Sequence, residues 1–299
     1  MYYIIYPLLY IVSLLPFFIL YAISNFAYFI VYRIAGYRKS VVFQNLAIAF
    51  PEKSMTEKKQ IARQFYKNLI DTFIETIKML SMSEREFNKR AVIDLAECNV
   101  LAARGINIQF QSGHQMNWEY VNWAAAKNLQ MPFAGVYMKI QNKSLDRIFY
   151  NMRERFGTVL VAATEFKTRM HKVFSEQYSL ALAADQNPGR PEYAYWLYLF
   201  SKPAPFVTGP DKGARRNNTA VVFVKFVKTK RGYYRFVPEI ITEDASALKE
   251  GELTLLYRDF LEATICEHPD NYLWSHKRWK FDYQKEFRGQ WIDTVLPPL

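Results

Sequence analysis

The chain has 299 residues, of which 51% are apolar and 17% aromatic, enough for one sizeable α/β body with an appendage. A formal charge of +11 and a pI near 9.4 point to acidic partners: anionic lipid, a phosphorylated substrate, an acidic carrier protein or nucleic acid. The aromatic content, with only 11 glycines, argues against a disordered nucleic-acid-binding tail, and Cys98 and Cys266, far apart and without a ligand pattern, suggest a reducing compartment rather than a disulfide framework or zinc site.

Residues 2–32 carry no charged side chain. That is longer than the roughly 20 residues needed to cross a bilayer core of about 30 Å, so this is a membrane element. It lacks the basic leader and small-residue cleavage site of a secretory signal. Tyr2, Tyr3, Tyr6, Tyr10, Tyr21, Tyr28 and Tyr32, with Pro7 and Pro16, leave open whether it spans the bilayer or lies partly among the headgroups. Arg33, Arg38 and Lys39 follow at once, and the positive-inside tendency then puts the body on the cytoplasmic side. The expected division is an anchor over 1–35 and a domain over 36–299, the latter with a helical lead-in to 100 and an α/β core from 101.

Residues 54–79 read as an amphipathic helix: Ile61, Phe65, Leu69, Phe73 and Ile77 recur every four positions, with Lys58, Lys59, Arg63 and Lys67 between them. Strand-like runs follow at 106–110, 133–137, 158–161, 179–183, 221–227 and 233–237. Helical patterns at 118–127, 144–155 and 164–176 separate the earlier strands, which implies βαβ units and a mostly parallel mixed sheet flanked by helices. Lys230-Arg231-Gly232 reads as a hairpin turn between the last two strands, and 247–267 as a closing helix.

The chemistry concentrates in Gly113-His114-Gln115-Met116-Asn117-Trp118-Glu119, where a strand gives way to a helix and a histidine precedes a carboxylate by five positions. An imidazole can deprotonate an alcohol near neutral pH if a carboxylate fixes its tautomer and stabilises the imidazolium. On an unbroken helix the two side chains would diverge by about 140°, so His114 has to sit in the turn before the helix, and Gly113 supplies that kind of turn. Asp185, in the polar turn that ends the run 179–184, is a second carboxylate placed where open α/β sheets gather their sites.

Several blocks together resemble the lipid A biosynthesis (late) acyltransferases, within the wider group of lysophospholipid acyltransferases that carry a His-x4-Asp/Glu motif. They are Tyr37-Arg38-Lys39 with Asn45-Leu46 and Phe50-Pro51-Glu52; Asn142 to Arg147 leading to Arg153, Arg155 and Gly157; Ala184-Asp185-Gln186; and Pro269-Asp270-Asn271-Tyr272-Leu273-Trp274-Ser275-His276-Lys277-Arg278-Trp279-Lys280. The resemblance implies a glycerolipid-acyltransferase-like fold, a bacterial inner-membrane location facing the cytoplasm, and acyl transfer from an acyl carrier protein thioester to a hydroxyl of a lipid A precursor. It implies no metal, no cofactor beyond the acyl carrier co-substrate, and no nucleic acid. His114 and Glu119 carry over as general base and orienting carboxylate, Arg153 as the functional arginine with Arg155 as spare, and Asp185 with Gln186 as substrate-placing residues of the cleft.

Gln115 and Asn187-Pro188-Gly189-Arg190 depart from the family pattern where acceptor or chain-length selection is expected to act. His276 reads as structural, and His171 and His268 as surface residues. Lys139, Lys143, Arg147, Lys167, Lys172, Arg215 and Arg216 are candidates to steer acidic partners, and an apolar groove must hold the acyl chain. The same dyad would serve another lipid acceptor, such as a lysophospholipid or aminolipid; a non-catalytic basic membrane tether is the alternative of another class.

Overall fold

A computed structural model describes residues 1–166, 168–169 and 176–298. Lys167, His171 and Lys172, and the middle of the helix expected at 164–176, lie outside the described residues. The apolar N-terminus folds as two helices, α1 (Tyr2–Leu14) and α2 (Phe17–Tyr28), parted at Pro16, with a π-helical continuation over Phe29–Ile34. The segment Phe17–Ile34 is long and apolar enough to cross a membrane. After α3 (Lys39–Ala49) comes α4 (Met55–Met79), which Ser54 opens with a reciprocal capping box to Glu57, stabilising the end by about 1 kcal/mol.

A seven-stranded sheet forms the centre, in the order β1-β9-β8-β2-β5-β3-β4. Its strands are β1 (Ala91–Ile93), β2 (Ile108–Ser112), β3 (Phe133–Tyr137), β4 (Val159–Ala162), β5 (Ser179–Ala183), β8 (Ala220–Lys230) and β9 (Tyr233–Thr242). All pairings are parallel except β8 with β9, which turn through Arg231-Gly232 with Gly232 at φ +76°. The fold is thus the mostly parallel mixed sheet that the alternating pattern implies. Between β5 and β8 lie an antiparallel pair, β6 (Tyr195–Leu199) and β7 (Lys202–Phe206), and a short helix, α9 (Gly209–Arg216), none of them foreseen. Pro203 and Pro205 obscured β7; both are accommodated in a two-stranded ladder, where missing donors can face away from the partner.

Helices cover both faces. Val221 and Phe223 of β8 enter a core with Tyr257, Leu261 and Ile265 of α10 (Glu252–Glu267), while Val222 and Val224 enter a second core with Tyr120, Trp123 and Ala124 of α7 (Trp118–Asn128). Burial on both faces explains why β8 reads as a continuous apolar run rather than an alternating one. The closing helix starts at Glu252 rather than at 247 because Gly251 before it takes the left-handed conformation at φ +84°. Two shorter helices, α5 (Glu84–Arg90) and α6 (Ala96–Ala103), precede β2, and α8 (Lys143–Glu154) joins β3 to β4.

Candidate active site

β2 and β5 are parallel neighbours, with Ser112 opposite Ala183. Two residues beyond each strand end, His114 and Asp185 therefore emerge side by side at the carboxyl edge of the sheet, where helices begin and ligands collect. The His114 ring bonds Asp185 through Nδ1 at 2.6 Å to Oδ1, and the His114 backbone N–H donates to Oδ2 at 3.1 Å. Asp185 is buried, at 1% side-chain exposure, while the histidine is open on one side at 26%. Burial disfavours charge on the ring, but the Asp185 carboxylate and its hydrogen bond outweigh it and raise the histidine above its ordinary value. Burial likewise pushes the Asp185 carboxyl up, and the contacts with His114 more than reverse this, holding it near about 2.

Glu119, expected as the partner of His114, bonds elsewhere. Asn117 caps α7 by accepting from the N–H groups of Glu119 and Tyr120, so His114 does lie in the turn before the helix and Glu119 in its first turn. The Glu119 carboxylate is clamped by Arg153, with Nε to Oε2 at 2.8 Å and Nη2 to Oε1 at 2.5 Å, and it also accepts from Trp118 Nε1 at 3.2 Å. Arg153 is itself fixed at the end of α8, where Asn122 and Trp123 of α7 donate to the carbonyls of Arg153 and Met152. The site thus holds two carboxylates with separate partners. A spacing of five positions cannot reveal which carboxylate meets the ring, because Asp185 lies 71 residues away in sequence.

Arg155 does not join this group. Its guanidinium donates to the carbonyls of Met79 and Met82 and lies over the Trp123 ring, tying the end of α4 to α7. Gln186 and Asn187 line the cavity beside His114, whereas Gln115, expected near the selection surface, is fully buried and its backbone forms an antiparallel bridge with Tyr272. The turn at Gly113 has a steric rather than a conformational reason: a Cβ there would meet Leu261 Cδ1 at 2.7 Å. Among the proposed steering residues, Lys139 pairs with Glu165 and Arg215 with Asp211 and the Leu248 carbonyl.

A cavity of about 630 Å³ opens at His114, Glu119 and Arg153, and continues between α7 and the sheet along Phe110, Ala125, Phe133, Ala181, Val224 and Phe226. This is the size of ligand sites that bury most of an organic molecule, with polar groups at one end and an apolar interior.

Two supporting features escaped the sequence. The C-terminal block braces the histidine loop: Leu273 N–H donates to the His114 carbonyl and Met116 N–H to the Asn271 carbonyl. Within the same block His276 is held well down, to about 4, chiefly by burial. On α4, the fully buried Glu75 accepts from Asn117 Nδ2 and from the hydroxyls of Tyr234 and Tyr21. Burial pushes its carboxyl up, partly offset by nearby Lys228 and by the Tyr234 and Asn117 bonds. The signal was the polar run Asn68, Asp71, Thr72, Glu75 and Thr76, which shares the packed side of an otherwise amphipathic helix.

The model of the bacterial lipid A biosynthesis acyltransferases matches residues 1–281, nearly the whole chain. The chain belongs to this family. Membership in the lipid A acyltransferases supports an acyltransferase that acts on a lipid acceptor, in keeping with the apolar interior of the cavity. A search of the curated proteins finds no match.

Proposed function

We propose that the protein is a membrane-associated O-acyltransferase that moves a fatty acyl chain from an acyl carrier protein thioester to a hydroxyl of a lipid A precursor. It would work at the cytoplasmic face of the bacterial inner membrane, with residues 1–35 as anchor and 36–299 as the acyltransferase domain. The observation that carries the reading is His114, backed by buried Asp185, at the polar end of a cavity whose interior is apolar. With Nδ1–H donated to Asp185, the histidine presents Nε2 as the base.

In the reaction, Nε2 takes the proton of the acceptor hydroxyl as its oxygen attacks the thioester carbonyl. The tetrahedral intermediate collapses with loss of the C–S bond, and the departing thiolate takes the proton from the imidazolium, leaving an ester and a carrier thiol. Arg153 has Nε and Nη2 committed to Glu119, so Nη1 is available to the developing oxyanion or to an acceptor phosphate. Glu119 then acts by aiming this arginine, and Gln186 by contact with substrate at the mouth.

The test offers acyl carrier thioesters of several chain lengths, and separately lysophospholipid and aminolipid acceptors, to the purified protein with a lipid A precursor. Transfer to the lipid A precursor that falls about 10³- to 10⁴-fold in His114→Ala is the expected result. Transfer only to another lipid moves the acceptor; full activity in the variant removes the mechanism; no transfer to any acceptor leaves the protein a tether.

A further inference from the structure

We infer that α1 and α2 do not cross the bilayer but lie in its surface, as a docking face for a membrane with anionic headgroups. This rests on the membrane association proposed above and adds the orientation.

The chain from Ser13 to Tyr32, with α2 at its centre, runs antiparallel along α4, and the contacts follow in order: the carbonyls of Ser13 and Leu15 accept from Lys78, Tyr21 bonds Glu75, Ser24 bonds Asp71, and the Tyr32 ring packs at a tilt against Tyr66. Any plane that puts the middle of Phe17–Ile34 in hydrocarbon therefore takes α4 with it. α4 cannot go there: it carries Glu57, Lys58, Lys59, Arg63 and Lys67, and Asp71 on it binds Arg231 from the turn between β8 and β9. Charged groups at mid-bilayer are strongly disfavoured, whereas a helix with one apolar face is stable lying in the interface.

The exposed side of both helices has the required character. Ile4, Leu8 and Ile11 on α1, and Phe18, Phe26 and Ile30 on α2 and its continuation, are all exposed at helical spacing. Along the edge where this face meets the body, cations sit over the rings of the two helices. Arg147 lies 4.4 Å from the centre of Tyr2, Arg231 4.3 Å from Tyr21, Lys67 5.7 Å from Tyr28 and Lys39 4.3 Å from Tyr32. The Tyr32 ring is itself buried, but the partly exposed rings of Tyr2, Tyr21 and Tyr28 suit the ester level of the headgroup layer, where the cations beside them meet phosphate.

The orientation also places the cavity. Met138, which lines it and is 68% exposed, leads into α8, whose Asn142 touches Met1 and whose Arg147 covers Tyr2. Laying α1 on the bilayer brings that mouth to the headgroups, where a lipid substrate can enter without leaving the membrane.

Depth measurement tests this. In a Cys266→Ser background, with Cys98 buried, Leu8→Cys, Phe18→Cys, Phe26→Cys and Ile34→Cys are labelled with a small fluorophore. The full-length protein is then bound to vesicles of phosphatidylglycerol and phosphatidylethanolamine carrying nitroxides at defined depths. The expected result is one shallow depth at all four sites, with Lys67→Ala and Lys39→Ala each weakening binding about fivefold on these vesicles but not on neutral phosphatidylcholine. A profile deepest at position 26 and shallow at 18 and 34 overturns the in-plane geometry while keeping membrane association; no quenching at any site overturns both. Unchanged binding in the lysine variants overturns the anionic-headgroup part.

Discussion

The two carboxylates of the site are a natural pair to compare. Asp185 and Glu119 are both buried, each bonded to one basic side chain, yet the proposed mechanism gives them different work because their partners differ. Asp185 faces an imidazole, a group that gains and loses its proton near neutral pH, so in the proposed mechanism its negative charge tunes the base. Glu119 faces a guanidinium, which never loses its charge, so its negative charge can only position. Chemically similar side chains thus divide into a member that acts on proton affinity and one that acts on geometry.

The largest test of this division is Asp185→Asn. It keeps the shape but reverses hydrogen-bonding options at Nδ1, and it should lower kcat about 10⁴-fold in steady-state acyl transfer, with an unchanged circular dichroism spectrum. Because Asp185 raises the histidine, and the base works only when neutral, activity in the parent protein should rise with pH along a limb above the ordinary histidine value of about 6.5. In the residual activity of Asp185→Asn that limb should move to lower pH. A limb that stays in place would break the assignment of Asp185 to the histidine.

Glu119→Ala should instead be read first in stability. It leaves Arg153 largely buried without its counter-charge, and denaturant unfolding should show a loss of about 3 kcal/mol, most of it recovered in Glu119→Ala/Arg153→Met. If Glu119→Ala shifts the pH limb and Asp185→Asn does not, the comparison is inverted. The smallest effect is expected inside the cavity. Ala181→Phe should shorten the preferred acyl chain, with acyl donors losing roughly fourfold in kcat/KM per methylene that no longer fits.

How far the sequence carried this picture depends on the range of the contacts involved. β3 and β5 were legible to the residue, and α4 nearly so, because an apolar run or a capping serine is a local signal. The βαβ alternation likewise announced the mostly parallel sheet. In the site, His114 and its place ahead of α7 were legible from the strand-to-helix change and the motif spacing. Its partner was not, since the meeting with Asp185 follows from the register of β2 against β5, which no local pattern encodes. Arg155 shows the converse: it lies two positions from Arg153, yet the turn of the chain there sends it to the end of α4. Glu75 was hidden because a carboxylate on an amphipathic helix reads as solvated until the surrounding hydroxyls and amide are seen.

Glu75 also bears on how this enzyme can be handled. One of its bonds comes from Tyr21, and the neighbouring Asp71 takes another from Ser24, so the N-terminal helices supply hydrogen atoms to two buried acids, one of which, Glu75, also holds Asn117, the cap of α7. Trimming residues 1–34 to obtain a freely soluble protein would thus strip donors from two interior carboxylates and uncover the flank of α4. The shortened chain is better regarded as a damaged catalyst than as the same catalyst without its tether.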